Sequence, residues 1–111
     1  SLQIIANQAR QHGKPLMIAE STPFGLDTSS GQMTWDRWFK PFFDFIEKEG
    51  VKAVCYINSN WEAQPMFAGL GWDDARVEAS PVIRRLWLEE TGKDKYLKSS
   101  AALFQAIGYA Q

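Results

Sequence analysis

The sequence contains few residues that could support thiol or imidazole chemistry. Of its 111 residues, one is cysteine and one is histidine. A lone cysteine forms no intramolecular disulfide, and a thiolate metal cluster needs several cysteines. The one histidine gives a serine or cysteine triad no natural setting. We therefore predict that Cys55 is a small buried hydrophobe within an apolar strand.

The sequence also has a small net charge and no long apolar run. The formal net charge is -1, which argues against nucleic acid or an anionic membrane surface as the main partner. No apolar run approaches the length of a membrane span. Neither G-x-G-x-x-G nor G-x-x-x-x-G-K-[ST] occurs. We therefore expect no nucleic acid, membrane, cofactor or metal ion as a partner.

Aromatic residues, in contrast, are abundant. The chain has five Trp, seven Phe and three Tyr. Tryptophan in loops often stacks on sugar rings, but a tryptophan-rich core would give the same count. Six apolar residues recur at helical spacing, which predicts a core-facing helix that Thr34 caps and that Pro41 either splits or kinks. These six are Trp35, Trp38, Phe39, Phe42, Phe43 and Ile46.

A carboxylate follows the first apolar strand of the sequence. Residues 16–19 are all apolar, as in a parallel strand that is covered on both faces. Glu20 comes next, at the carboxyl end of the strand, where open α/β sheets and α/β barrels place their active sites. Glu20 is thus either a solvated loop charge or the working group of an active site, and the pattern alone favours neither.

A second apolar strand is predicted at residues 51–57 and ends at Asn58. A long irregular stretch follows over residues 59–79, and loops of this length in compact domains commonly serve a function. Within it we predict a structural ion pair between Asp73 and Arg76.

The predicted order of elements is helix, strand, helix, strand, helix, helix. This alternation is typical of βαβ units with a parallel sheet. Two parallel strands alone would leave open edges and exposed apolar surface. We therefore expect residues 1–111 to form a single partial domain of a larger α/β fold.

Several segments together resemble a known enzyme family. They are KPLMIAESTP, WDRWFKPFFDFI, KAVCYINSNW, the W-D-x-x-R of residues 72–76 and the W-x-x-E of residues 87–90. The chain resembles the C-terminal end of bacterial glycoside hydrolases with a (β/α)8 barrel, of the type related to family 26 endo-β-mannanases. The resemblance implies a C-terminal fragment of a TIM barrel, containing strands 7 and 8, with the remainder of the barrel upstream.

The resemblance also implies a reaction. In such barrels a Glu at the end of the seventh strand is the nucleophile of a retaining double displacement, which corresponds to Glu20. The implied substrate is a β-linked polysaccharide, mannan-like or a related plant glycan. The acid/base Glu belongs to the fourth strand and is absent from this chain, so the fragment alone is expected to be inactive. A secreted or periplasmic location is also implied.

Four further residues are candidates for substrate binding. Aromatic residues after the eighth strand commonly stack on the sugar, which points to Trp61 and Trp72. Asn58 and Tyr56 share the inward parity of the strand, so either could bond a sugar hydroxyl or the Glu20 carboxylate. For two of these residues a packing role stays open instead. Trp61 could anchor its loop by packing, and Tyr56 could be a core residue.

Two other interpretations remain open at this point. The chain could be a non-catalytic carbohydrate-binding or interaction module of barrel architecture, which the tryptophan content supports equally well. It could also be an unrelated α/β fragment in which Glu20 is a rim charge. An upstream strand that ends in Asn-Glu would favour the enzyme.

Overall fold

The computed structural model describes residues 1–109, and residues 110 and 111 of the predicted domain lie outside the described residues. The helices are α1 (Leu2–Gln11), α2 (Gln32–Thr34), α3 (Lys40–Glu49), α4 (Pro81–Thr91) and α5 (Leu103–Ala106), and the strands are β1 (Met17–Ile18) and β2 (Ala53–Val54). A π-helical segment, Trp35–Phe39, joins α2 to α3. The predicted order of elements is confirmed. No helix in the described part of the chain is long and apolar enough to cross a membrane.

The two strands pair in parallel, as predicted. Met17 lies opposite Ala53, and Ile18 lies opposite Val54. Backbone hydrogen bonds continue beyond the strands proper, because the Ile57 N–H donates to the Ser21 carbonyl at 2.8 Å. The carboxyl ends of both strands therefore meet at one rim. The larger barrel stays a prediction.

Within residues 1–109, the helices cover one face of this sheet and leave the other open. Ile18 is buried against them and Val54 is half-buried. Met17, in contrast, is 55% exposed on the opposite face, where Ala53 and Cys55 are also exposed. The predictions that the first strand is covered on both faces and that Cys55 is buried are therefore wrong for this structure. Apolar strand composition indicates two covered faces, but the described residues provide packing for one.

Residues 32–49 form one continuous helical run that contains Pro41. Proline has no N–H to donate to the preceding turn. The structure accommodates it by a π-helical turn immediately upstream, in which the Lys40 N–H donates to the carbonyl of Trp35. The predicted split into two helices is not observed, because the helical run continues through Pro41. A kink at Pro41 stays a prediction.

The ends of this helical run are set by glycine. Gly31 precedes the first helical residue, so the prediction that Thr34 caps the helix is wrong. Thr34 lies inside the helix, where its hydroxyl donates to the Asp27 carbonyl at 2.5 Å. Gly50 ends the run with a φ of 62°, a left-handed conformation that glycine adopts without steric cost.

An aromatic core lies between this run and α4. Phe39 and Ile83 are fully buried at its centre, and the ring of Trp35 stacks on Phe39 with centroids 5.4 Å apart. The predicted core role of the aromatic stripe is confirmed. Ser80 caps α4 by accepting a hydrogen bond from the Ile83 N–H at 3.3 Å.

Candidate functional site

Glu20 lies in an open groove at the carboxyl end of β1. Its side chain is exposed. The groove has a volume of about 790 Å³, and Glu20 shares its lining with Trp61, Phe67 and Trp72. The structure therefore brings together the predicted nucleophile and the two predicted stacking residues, Trp61 and Trp72.

The segment that follows Glu20 is fixed to β2 and to the loop after it. The Ser21 carbonyl accepts from the Ile57 N–H at 2.8 Å, and the Ser21 hydroxyl donates to the Cys55 carbonyl at 2.7 Å. The Thr22 hydroxyl oxygen accepts from the indole N–H of Trp61 at 3.0 Å. Three hydrogen bonds thus hold the backbone directly after the carboxylate.

Four aromatic rings from two loops form one wall of the groove, which we call the aromatic wall: Phe24, Trp61, Phe67 and Trp72. Trp61 contacts Phe67 edge-on at 4.7 Å and Trp72 at 5.4 Å. Phe24 contacts Trp72 edge-on at 4.9 Å and is 61% exposed. Sequence reasoning missed Phe24 and Phe67, although both follow strands that it located. Adjacent rings of this kind offer apolar faces to a flat ligand.

Asn58 holds the long loop together. Its amide nitrogen donates to the Glu78 carboxylate at 2.8 Å, and its amide oxygen accepts from the Val77 N–H at 2.7 Å. The hydrogen bond from Asn58 is the main reason why the pKa of Glu78 is lowered. These contacts are structural, and a sugar-binding role for Asn58 stays a prediction.

Tyr56 has the contacts of a core residue. Its ring lies 5.0 Å from Trp87 and 5.8 Å from Trp38. Its hydroxyl donates to the Ala75 carbonyl at 2.5 Å. Burial, together with the nearby charge of Asp74, raises the pKa of Tyr56 well above its usual value. The geometry favours the packing alternative, and contact between Tyr56 and a sugar stays a prediction.

The ion pair in the long loop joins Asp74 and Arg76, so the predicted pairing of Asp73 with Arg76 is wrong. The Arg76 guanidinium approaches the Asp74 carboxylate at 2.7 Å. This hydrogen bond lowers the pKa of Asp74, against the opposing effect of burial. Asp73 has a φ of 61°, in the left-handed region. Its carbonyl accepts from the Trp61 N–H at 3.2 Å.

A buried threonine joins the loop after β1 to the long loop after β2. Thr28 is fully buried. Its hydroxyl lies 3.0 Å from the Asp74 carbonyl and 2.8 Å from the Arg76 carbonyl, and its N–H donates to the Asp74 carbonyl at 2.9 Å. Sequence reasoning did not single out Thr28, because a threonine in a polar loop carries no distinguishing pattern.

The lining of the groove includes one carboxylate within the described residues, that of Glu20. A retaining glycosidase needs two carboxyl groups about 5–5.5 Å apart. Glu62, also in the long loop, accepts from the Gly69 N–H at 2.9 Å and is not part of the lining. Within residues 1–109, no group of three or more His, Cys, Asp or Glu side chains could hold a metal ion. The groove therefore offers one carboxylate and apolar contact, and a retaining site would need a second carboxyl group in addition.

No protein-family model matches the chain. Curated proteins do match it. The chain is similar to β-1,3-xylanases. Two relatives are each 34% identical to it over an alignment 128 positions long that covers 94% of this chain. They are the β-1,3-xylanase TXYA of a Vibrio species and a β-1,3-xylanase of an Alcaligenes species. The chain spans 28% and 27% of the lengths of these two relatives.

These relatives confirm the predicted resemblance at its coarser level. Xylanases are glycoside hydrolases, and the similarity extends along nearly the whole chain. The two relatives are xylanases and not mannanases, so they give the finer resemblance to endo-β-mannanases no support.

Proposed function

We propose that this chain is part of a retaining glycoside hydrolase that cleaves a β-1,3-linked xylan, with Glu20 as the nucleophile. The observation that carries the proposal is the position of Glu20. It is an exposed carboxylate at the carboxyl end of a parallel strand, beside the aromatic wall. Similarity to two β-1,3-xylanases over 94% of the chain supports both the reaction class and the substrate.

We further propose that β1 and β2 are the seventh and eighth strands of a (β/α)8 barrel. The strands are parallel, and helices cover only one face of the sheet. The opposite face exposes Met17, Ala53 and Cys55, as expected for side chains that point into a barrel interior. Further strands would cover this face and pair with the free strand edges, which favours a fold larger than the described residues.

In the proposed mechanism the Glu20 carboxylate attacks the anomeric carbon of the sugar. A carbon–oxygen bond to Glu20 forms as the glycosidic bond breaks, and a second carboxyl group protonates the departing sugar oxygen. That group then accepts a proton from water, whose oxygen attacks the anomeric carbon and releases Glu20. Because the groove holds one carboxylate, the second carboxyl group would lie outside this chain.

The aromatic wall would bind the sugar next to the reacting bond. Trp61 and Trp72 can each present a ring face to a sugar ring. The indole N–H of Trp61 is already bonded to Thr22 at 3.0 Å, so Trp61 would contribute an apolar face and no donor. This arrangement suits an uncharged pyranose.

Substitution of Glu20 by glutamine in the full-length protein tests the proposal. Glutamine keeps the shape but not the nucleophile, so kcat on β-1,3-xylan should fall by about 10³-fold or more. Affinity for xylo-oligosaccharides should change little, because the group acts in bond-breaking steps. Glu62→Gln is the matched control and should keep near wild-type turnover. The anomeric configuration of the first product, read by NMR, should be that of the substrate.

Two results would contradict the proposal. Near wild-type turnover of Glu20→Gln would exclude Glu20 as the nucleophile. Binding of xylan without turnover by the wild-type protein would instead indicate a non-catalytic carbohydrate-binding module. Parallel turnover assays of the wild-type protein on β-1,3-xylan and on β-mannan distinguish these two substrate classes.

A further inference from the structure

The hydrogen bond between Thr22 and Trp61 joins two separate loops beside the carboxylate. Thr22 is two residues after Glu20 in the loop that follows β1. Trp61 belongs to the loop that follows β2, 39 residues further along the chain. Both side chains are half-buried and line the same groove as Glu20.

From this contact we propose that Thr22 is a positioning residue for Glu20 and that it acts through the indole of Trp61. The proposal rests on the proposed function, since it takes Glu20 as the nucleophile. Among residues 1–109, Glu20 has no hydrogen-bond partner of its own. The position of its carboxylate therefore depends on how firmly the adjoining backbone is held.

Trp61 is a rigid point of attachment. Phe67 packs against its ring at 4.7 Å and Trp72 at 5.4 Å. Its backbone N–H donates to the Asp73 carbonyl at 3.2 Å. An antiparallel bridge between Asn60 and Asp74 holds the same segment. Because the ring and the backbone of Trp61 are both held, its indole N–H has a fixed position. From there it donates to the Thr22 hydroxyl oxygen.

Ser21 and Thr22 hold the Glu20 segment in different ways. Ser21 is bonded to the backbone of Ile57 and Cys55, which continue β2. Thr22 is the residue of this segment that is bonded to the aromatic wall. Together with Phe24, which packs on Trp72 at 4.9 Å, this bond sets the distance between the carboxylate and the sugar platform. Reacting groups tolerate little displacement, because a shift of about 1 Å can lower the rate by about 10²-fold.

The test compares variants of the full-length protein that break the same bond from either side. Thr22→Val removes the acceptor and Trp61→Phe removes the donor. Each should lower kcat on β-1,3-xylan by roughly tenfold. The double variant should be no slower than the slower single variant, because only one bond is lost. In Thr22→Val, KM should stay within about threefold of wild type, and Thr22→Ser should restore kcat, since it keeps the hydroxyl.

Three results would overturn this role for Thr22. A wild-type kcat in Thr22→Val, with or without a lower melting temperature, would make the bond purely structural. Additive losses in the double variant would show that the two residues act independently. A raised KM with unchanged kcat would mean that Thr22 contacts the sugar directly.

Glu20→Gln, measured in parallel, separates failure of this inference from failure of the proposed function. If Glu20→Gln abolishes turnover while Thr22→Val is unaffected, only the positioning role fails. If Glu20→Gln retains turnover, the nucleophile assignment fails, and the positioning role fails with it.

Discussion

Replacement of Thr28 by valine should loosen the contact between the two loops that form the groove. Valine has nearly the shape of threonine but has no hydroxyl to donate. Thr28 is fully buried, and its hydroxyl lies 2.8 Å from the Arg76 carbonyl and 3.0 Å from the Asp74 carbonyl. The Asp74 carbonyl keeps the Thr28 N–H at 2.9 Å. The Arg76 carbonyl likewise keeps the Ala79 N–H at 3.2 Å. The net loss is therefore one hydrogen bond, and neither carbonyl is left without a donor.

The expected cost follows from that single loss. Loss of one intramolecular hydrogen bond whose acceptors keep other donors costs about 0.5–1.5 kcal/mol. The added methyl group would contact carbonyl oxygens, so its burial does not offset this cost. Because each 1.4 kcal/mol is a factor of ten, the local opening equilibrium should rise by about 2- to 12-fold. Hydrogen exchange of the peptides that contain residues 74–77, measured by mass spectrometry in the full-length protein, should accelerate by that factor.

Two controls separate the hydroxyl from general effects. Thr28→Ser keeps the donor and loses one methyl group, at a cost of about 0.8 kcal/mol, so its exchange should accelerate by no more than about fourfold. The Thr91 hydroxyl donates to the Trp87 carbonyl at 2.8 Å within α4. Thr91→Val should therefore leave exchange in the loops unchanged. Wild-type exchange rates in Thr28→Val would refute this reasoning.

Two further predictions concern pH and the isolated chain. The pKa of Asp74 is lowered in the folded state. Its ion pair with Arg76 therefore contributes stability above the unfolded pKa of about 3.9, and this contribution is lost as the pH falls through the folded pKa. The difference in unfolding free energy between wild type and Asp74→Asn should shrink on acidification, and a difference that does not vary with pH would contradict this. Residues 1–111 in isolation should be marginally stable or self-associate through the exposed sheet face, and a sharp, reversible monomer melt that is independent of concentration would exclude that outcome.

The parts of the fold that were predictable from the sequence depend on local patterns. The recurrence of aromatic residues over residues 35–46 indicates a buried helical face, because this pattern acts within a few helical turns. Glu20 was located in the same way, by its place after an apolar strand. Its proximity to Trp61 and Trp72 followed from parallel pairing, which brings the carboxyl ends of strands to one rim.

The parts that were not predictable depend on contacts between loops that are distant in sequence. Thr22 meets Trp61 across 39 residues, and Thr28 meets Arg76 across 48. No periodicity marks either threonine, so composition offers no signal for these contacts. The choice of Asp74 over Asp73 as the partner of Arg76 likewise has no local signal, because the two acids are adjacent in the sequence.

The open face of the sheet makes Cys55 useful as a probe. It is the single cysteine of the chain, and its side chain is exposed beside the uncovered strands. A thiol-reactive dye would therefore label the isolated chain at one defined position. In the proposed barrel, partner strands would shield that sulfur, so the labelling rate would fall as they dock. Cys55 is thus a natural reporter for fragment complementation, with which reassembly of the barrel from two pieces could be followed in real time without any engineered label.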